Sequence, residues 1–503
     1  MLTAREYHDL TSYDRRRMDP HGLDWAGQPG VYKAYPGAAA LPLPMVDDDS
    51  DESLWAVIDG QVRPDAPAAG PLGLQQVARI LTRTCTLTAQ RRFSGGTFDY
   101  RSVASAGALY PTELYLAASA VESLAAGVYH FGLERRCLTP LRVGPVAAAV
   151  AAATGVESGS RPALSFFVSG IFFRSAWKYR QRALRYVLLD AGHLLENLLL
   201  ALKACGLSGH LSYDFDDRQV AGLLGLDLER EAPLAVVVVA APAAAPAPDE
   251  EAPAPLAVDL PAAGQVAARE VAYDLIGRAY RSGNGVYPAG AADPKQVLEL
   301  GVQTTQTDGI PAVSAGEGEM SLSQALRQRR SRRNFAAERL ARQPFERLLD
   351  LVCRAAALDR PSDPRYRSGV ASGVLVSGVD GYPPGFYLLS PEDRRLARVS
   401  SGELTTAMAA ACLDQMWLAA AAVHFLFMVN LSALDACWGA RGYRYAMLGA
   451  GRIGQRLYLG ATALGLGCCG IGALYDDEAR RLLGLSADAG LLYLVAVGAV
   501  KGR

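Results

Sequence analysis

An excess of charge of either sign is the first thing this chain lacks. Its 50 Lys and Arg stand against 51 Asp and Glu, for a formal charge of −1 at pH 7. That balance gives no electrostatic footprint for nucleic acid or for an acidic membrane surface. A long apolar run is missing too. The opening MLTAREYHDLTSYDRRRMDP is charged throughout and has no apolar stretch of the signal-peptide kind. The most apolar segment, WLAAAAVHFLFMVN from Trp417, is too short to span a bilayer and carries His424. It reads as a helix end followed by a buried strand, HFLFMVN. Finally, no C-x-x-C couple occurs. The eight cysteines are scattered, apart from the adjacent Cys468 and Cys469. This spacing argues against a zinc site or a disulfide framework, and predicts reduced core thiols in a cytoplasmic protein with no bound metal.

What the chain does have is one passage written twice. RYVLLDAGHLLENLLLALKACGLSG from Arg185 aligns without a gap on RYAMLGAGRIGQRLYLGATALGLGC from Arg444. Gly192 falls on Gly451, Leu200 on Leu459 and Gly206 on Gly465. The same register then sets Leu223 and Gly225 opposite Leu482 and Gly484. Two domain-sized copies make a tandem duplication and not a solenoid. Between them AAPAAAPAPDEEAPAPLAVDLPAAG reads as a semi-rigid Pro/Ala linker. The predicted organisation is an extension over residues 1–60, a first repeat over 61–240, a linker and bridging segment over 241–299, and a second repeat over 300–503.

Each copy alternates helical segments with β-branched or aromatic runs such as ALSFFVSGIFF and LYLVAVGAV, which predicts an α+β unit of sheet and helices. The helix from Arg185 to Cys205 is apolar nearly all round, as expected of a helix buried on more than one side. A duplicated protein offers its other copy as the second side, so an intramolecular pseudo-dimer is expected.

The polar residues differ between the copies. The second opens with LRQRRSRRNF, where Arg329, Arg330, Arg333 and Ser331 supply the planar donors and the hydroxyl that suit a phosphate dianion. A solvated basic helix start explains an arginine run equally well. The sequence closes on VGAVKGR, which puts Lys501 and Arg503 just past a final strand. In the first copy ESLWAVIDGQVR, ending in Arg63, replaces the arginine cluster, and Pro242 and Ala244 stand opposite Lys501 and Arg503. Both cationic elements vanish together, as they would if they served one ligand. The first copy carries instead YRSVASAGALYPTELY, whose Ser105, Ala106 and Gly107 allow a flat ligand close to the backbone; a tight turn before a strand reads as well. It also carries SAWKYRQRALRY, where Lys178 and Tyr179 stand opposite Cys437 and Trp438. An ammonium beside a phenol makes an acid/base couple, and the alternative is helix-end surface. Asp190 and His193, replaced by Gly449 and Arg452, read as interhelical hydrogen bonding, and His130 as structural.

Taken together, RSVASAGALYPTELYL, GVYHF, WKYRQRALRYVLLDAGHLLENLLLALKACGLSG and RRSRRNF resemble the nitroreductase superfamily, in particular its SagB/ThcOx-type branch of azoline oxidases from peptide natural-product pathways. EYHDLTSYDRRRMDPHGLDWAGQPGVYKAYPGAAALPLP resembles the leading segment of that branch. The resemblance covers most of the chain and is weaker around 360–440. It implies two nitroreductase-like domains and an FMN at their interface. It also implies a phosphate side made of Arg329, Arg330, Ser331, Arg333, Gly465, Gly467, Lys501 and Arg503. The ring side would be Ser105, Ala106 and Gly107, with Lys178 and Tyr179 catalytic. One composite site per chain is then expected, the other half-pair being dead.

The implied reaction is oxidation of thiazoline or oxazoline rings on a peptide or carrier-bound substrate, with molecular oxygen as electron acceptor and a cyclodehydratase or synthetase as partner. Two other functions remain open on the sequence: an NAD(P)H-dependent nitro or quinone reductase, and a non-catalytic scaffold for a cyclodehydratase.

Overall fold

The computed structural model describes all residues except 19–21, 47–51, 63–71, 94–95, 156–161, 241–255, 257–262, 286–289, 291, 306, 313–319, 359–368 and 503. Arg63, Arg503 and the Pro/Ala part of the linker lie outside the described residues.

Two seven-stranded sheets, antiparallel throughout, carry the fold. The first is made of β1 (Leu41–Pro42), β2 (Thr112–Ala118), β3 (Gly127–Gly132), β4 (Cys137–Val143), β5 (Pro162–Ile171), β6 (Gly209–Ser212) and β7 (Glu231–Ala240). Its spatial order is β1-β4-β3-β2-β5-β7-β6. The second is made of β8 (Thr307–Gly309), β9 (Ala371–Val376), β10 (Gly385–Ser390), β11 (Arg395–Ser401), β12 (Val423–Asn430), β13 (Gly467–Ile471) and β14 (Ala489–Gly498). Its order, β8-β11-β10-β9-β12-β14-β13, repeats that of the first strand for strand. The continuous apolar runs become inner strands: all ten residues of β5 and all ten of β14 are buried. HFLFMVN lies in β12, after a short 3-10 turn at Met416–Ala420, and only its last residue escapes full burial.

Helix boundaries follow the repeat as closely. After α1 (Ala4–Leu10), the first copy holds α2 (Phe172–Tyr179) and α3 (Ala183–Ala204), and the second holds α4 (Leu431–Trp438) and α5 (Arg441–Ala463). All of α3 is buried except Leu199 and Lys203, and all of α5 except its last two residues. Both long helices end the same way. The Gly206 N–H donates to Lys203 O and the Leu207 N–H to Leu202 O. Gly465 and Leu466 repeat this on Thr462 and Ala461. The turn needs a left-handed residue, and the two glycines have φ of 70° and 72°.

The repeat register slips again before the last strand, as it does before β5 and β12. Between the turn glycine and the last strand the second copy is one residue shorter, so Glu231 at the head of β7 answers to Ala489 at the head of β14. Carried past the strands, this puts Lys501 opposite Ala243 and not Pro242, and Arg503 opposite Ala245 and not Ala244. The correction leaves the first copy without a cation at either place.

The compact units do not follow chain order. One comprises Met1–Gly22, Tyr287–Met320 and Gln328–Arg503, and the other Leu23–Val286 with Ser321–Arg327. The leading helix α1 thus belongs with the second repeat. Its Ala4 and Arg5 N–H groups donate to the Asp435 carboxylate at 2.7 and 3.0 Å, which satisfies orphan donors of its first turn. Residues after Gly22 belong with the first repeat. There Lys33 is buried against Glu231 at 2.5 Å and donates to the Tyr115 hydroxyl at 2.8 Å. No helix among the described residues is long and apolar enough to cross a membrane.

Candidate active site

In the unit built on the first repeat, the small-residue turn and the Lys-Tyr pair come together. Ser105 and Ala106 lead into a turn where Gly107 (φ 64°), Ala108 (φ 53°) and Tyr110 (φ 45°) are left-handed. A Cβ built on Gly107 would lie 2.9 Å from Tyr179 Oη and 3.3 Å from Lys178 Nζ. Only a residue without a side chain lets this turn approach the pair so closely. Lys178 and Tyr179 end α2, half-buried, with the Tyr179 ring 4.1 Å from that of Tyr186.

Asp190 holds this turn, a role that outweighs the interhelical one read from sequence. From the middle of α3 its carboxylate accepts from Ser105 Oγ at 2.5 Å and from the Ala106 N–H at 3.1 Å. Ser105 Oγ in turn accepts from the Tyr110 N–H at 2.9 Å. Burial pushes the Asp190 carboxyl up to about 7, although both donors pull it down. The replacement of Asp190 by Gly449 in the second copy was the available signal, because a turn that is gone needs no anchor. His130 pairs with Glu113 at 2.8 Å in a buried cluster with Arg174, as a structural group would.

Arg180, the next residue after the pair, has φ 49° and ψ −132°. Residues with a Cβ rarely adopt such a conformation, and it costs about 1–3 kcal/mol. Gly439 holds the equivalent turn with φ 56° and ψ −156°.

In the other unit the cationic elements meet as well. Ser331 pairs with Cys468 of β13, and the Arg332 N–H donates to Cys468 O at 2.8 Å. On the opposite side Phe335 pairs with Val500, and the Lys501 N–H donates to Asn334 O at 2.9 Å. The arginine segment is therefore stitched between β13 and the tail of β14. Gly467 is needed for this, since a Cβ there would fall 2.1 Å from Val500 Cγ1. Ser331 Oγ lies 2.9 Å from Tyr458 Oη, which also accepts from the Gly470 N–H at 2.7 Å. The buried Arg329 guanidinium sits 5.5 Å over the Tyr458 ring. Sequence reasoning passed over Tyr458, whose counterpart on the first long helix is Leu199; a phenol in place of an apolar residue was the trace it left. Gly465 has a structural duty that Gly206 shares in the copy without the cations.

The donor chemistry fits the two ends of a flavin mononucleotide. Arg332, Arg333 and Lys501 are exposed, and none has a carboxylate within ion-pair distance among the described residues. Elsewhere in this unit Arg15 is paired with Asp414 and Glu478, and Arg480 and Arg481 with Asp477. A cluster left cationic beside a held hydroxyl suits a phosphate. The glycine-floored turn against Lys178 and Tyr179 suits a planar ring. Neither copy has both: Cys437 and Trp438 are buried where the pair would be, and the Gly290 N–H donates to Cys437 O.

Comparison with known proteins agrees with the duplicated fold. The model of the nitroreductase family matches residues 70–241 and 326–499. "Putative nitroreductase MJ1384" of Methanocaldococcus jannaschii is 30% identical over 173 residues, 33% of this chain and 85% of the relative. The trifolitoxin-processing protein TfxB of Rhizobium leguminosarum bv. trifolii is 26% identical over 232 residues, 44% of this chain and 61% of TfxB. The microcin B17-processing protein McbC of Escherichia coli is 30% identical over 142 residues, 27% of this chain and 52% of McbC. The chain thus spans less than two thirds of either processing protein. A crystal structure described as a "putative nitroreductase" from Anabaena variabilis superposes with a TM-score of 0.78 at 25% identity, over 100% of both chains. Two matches of the family model, one on each copy, cover most of the sequence: the chain belongs to the nitroreductase family, an oxidoreductase family whose members generally bind FMN, and carries that domain twice in tandem.

Proposed function

We propose that this protein is an FMN-dependent oxidase that converts thiazoline or oxazoline rings to thiazoles or oxazoles on a peptide or carrier-bound substrate. The observation that carries the reading is the division of labour between copies. A glycine-floored turn with a Lys-Tyr pair stands in one repeat, and in the other an Arg-Ser-Lys cluster whose Arg332, Arg333 and Lys501 have no carboxylate partner among the described residues. The first set suits the ring of a flavin and the second its phosphate, with Arg329, Arg330, Ser331, Arg333, Gly467, Lys501 and Arg503 on the phosphate side. Gly465 shapes the approach, and Ser105, Ala106 and Gly107 lie at its ring. The processing of microcin B17 and trifolitoxin by similar proteins supports a peptide substrate.

FMN, when bound, supplies acceptance of a hydride, and molecular oxygen is the final electron acceptor. The protein's part is proton transfer and placement. Aromatisation removes two hydrogens from the ring, one as hydride and one as a proton, and Tyr179 Oη takes the proton. The Lys178 ammonium makes the phenolate less costly to form. Asp190 fixes the turn, so the ring plane and the base keep their spacing. A reaction that closes Cys, Ser or Thr side chains on the backbone must supply the azoline, and a cyclodehydratase is the partner expected.

The test is direct. Holoprotein mixed anaerobically with a thiazoline peptide should lose its flavin absorbance, and admitted oxygen should restore it. Bleaching by NADPH but not by the thiazoline would establish a reductase in its place. A colourless protein that takes up no FMN would leave only the scaffold role.

A further inference from the structure

The backbone at Arg180 poses a question that the flavin site does not answer. In the second copy the same turn, closed by the same bond from the cap N–H four residues back, is made by Gly439. The fold therefore needs no side chain at this place, and glycine is its least strained occupant. The copy with the Lys-Tyr pair nevertheless keeps an arginine there. No contact with a described residue compensates for it: the Arg180 side chain is exposed and makes no hydrogen bond, ion pair or ring contact with any of them.

Its surroundings indicate what it meets. Tyr179 packs on an apolar group of Leu109, Phe173 and Trp177. Trp25 caps that group, its ring 5.3 Å from that of Trp177 and 67% exposed. An exposed indole, a half-buried phenol and an unpartnered guanidinium thus lie on one stretch of the same unit. An indole face receives planar rings. A guanidinium in fork geometry receives carboxylates bidentately.

We propose that Arg180 is a substrate-binding residue that grips a carboxylate of the molecule being oxidised, with Trp25 stacking beside it. The proposal rests on the oxidase reading for the identity of the ring, but not for the carboxylate. Arg180 is the residue next to the base, so a carboxylate held on its guanidinium would limit the ring's distance from Tyr179. The carboxylate comes from the ring acid itself or from an acidic side chain beside the ring.

Binding to holoprotein is measured by quenching of tryptophan fluorescence, with three probes: thiazole-4-carboxylate, its carboxamide, and the carboxamide extended by one Asp. Wild type should bind one of the two acids about ten- to a hundredfold more tightly than the plain amide, and the preferred acid names the source. Arg180→Gly, which copies Gly439 and relieves the strain, should abolish that preference while it holds the amide within about twofold. It should also keep its FMN and unfold at the same or a higher temperature. Arg180→Lys should recover part of the preference. An acid preference that survives Arg180→Gly overturns the proposal, and so does loss of flavin from that variant. Thiazoline oxidation is followed separately. If wild type discriminates acid from amide but oxidises no azoline, the oxidase reading fails and the carboxylate site stands. If it oxidises the azoline without discriminating, the carboxylate site fails and the oxidase reading stands.

Discussion

Tyr179 and Asp190 are the residues on which the proposed chemistry and its geometry depend. Tyr179→Phe removes one hydroxyl and Lys178→Ala one ammonium, in a unit that holds none of the arginine cluster. Both variants should purify yellow, with turnover lower by about 10²–10⁴, the range for loss of a positioned base. The double variant should be scarcely worse than either single one if, as proposed, the two act as a unit. Cys437→Ala and Trp438→Phe should leave turnover intact. Steady-state rates and bound flavin decide this, and full activity in Tyr179→Phe would return the reductase to the front. Asp190 makes a prediction about pH. Its carboxyl ionises near 4 in an unfolded chain and at about 7 in the folded one. Between those values the folded state holds a proton that the unfolded state has lost, so stability falls as pH rises from about 4 to 7 and is level above. Asp190→Asn cannot titrate and should unfold with a shallower dependence across that window. Equal slopes in urea melts from pH 4 to 7 would show that Asp190 carries no such proton.

At the scale of elements, the arginine segment and the strand tails are one construction. Gly467→Ala places a methyl against Val500, so it should displace the Val500–Lys501 tail, cost about 1–3 kcal/mol and release flavin. Arg330→Ala should weaken FMN by about ten- to a hundredfold, as loss of a charge-assisted hydrogen bond does. Gly465→Ala forces a side chain into a left-handed turn and should cost about 1 kcal/mol. Gly206→Ala should cost the same, because the two glycines end their helices alike. Flavin retention under dialysis, set beside melting temperature, separates these cases. If Gly465→Ala releases flavin at unchanged stability, Gly465 touches the cofactor and does more than end a helix.

For the whole molecule the question is stoichiometry. A ring side kept in one repeat and a phosphate side kept in the other predict, on the proposed function, about one FMN per chain. The first copy's ESLWAVIDGQVR segment offers no arginine cluster, and the second copy's Cys437 and Trp438 offer no base. Flavin released by denaturation and measured against peptide absorbance should give a ratio near one. A ratio near two would mean that each repeat, or its symmetric pairing, holds a flavin despite the missing cations.

The repeat, its α+β class and the family were legible in the residues, because a duplicated chain carries its own alignment. Gly206 and Gly465 end equivalent helices, and β5 and β12 lead into α2 and α4 at the same register. The cations at Arg329–Arg333 and Lys501 were legible as types, and their absence from the first copy as a pattern. That the arginine segment lies between β13 and the tail of β14 was not, because pairing across more than a hundred residues leaves no periodic trace. Asp190 was visible only as a polar residue on an apolar helix; that it holds Ser105 depends on which way one turn of α3 faces. The strain at Arg180 was hidden altogether. Sequence register sets Arg180 opposite Gly439, but φ and ψ are set by the packing on either side of the turn, and only the folded chain shows that the arginine stands in a conformation that favours glycine.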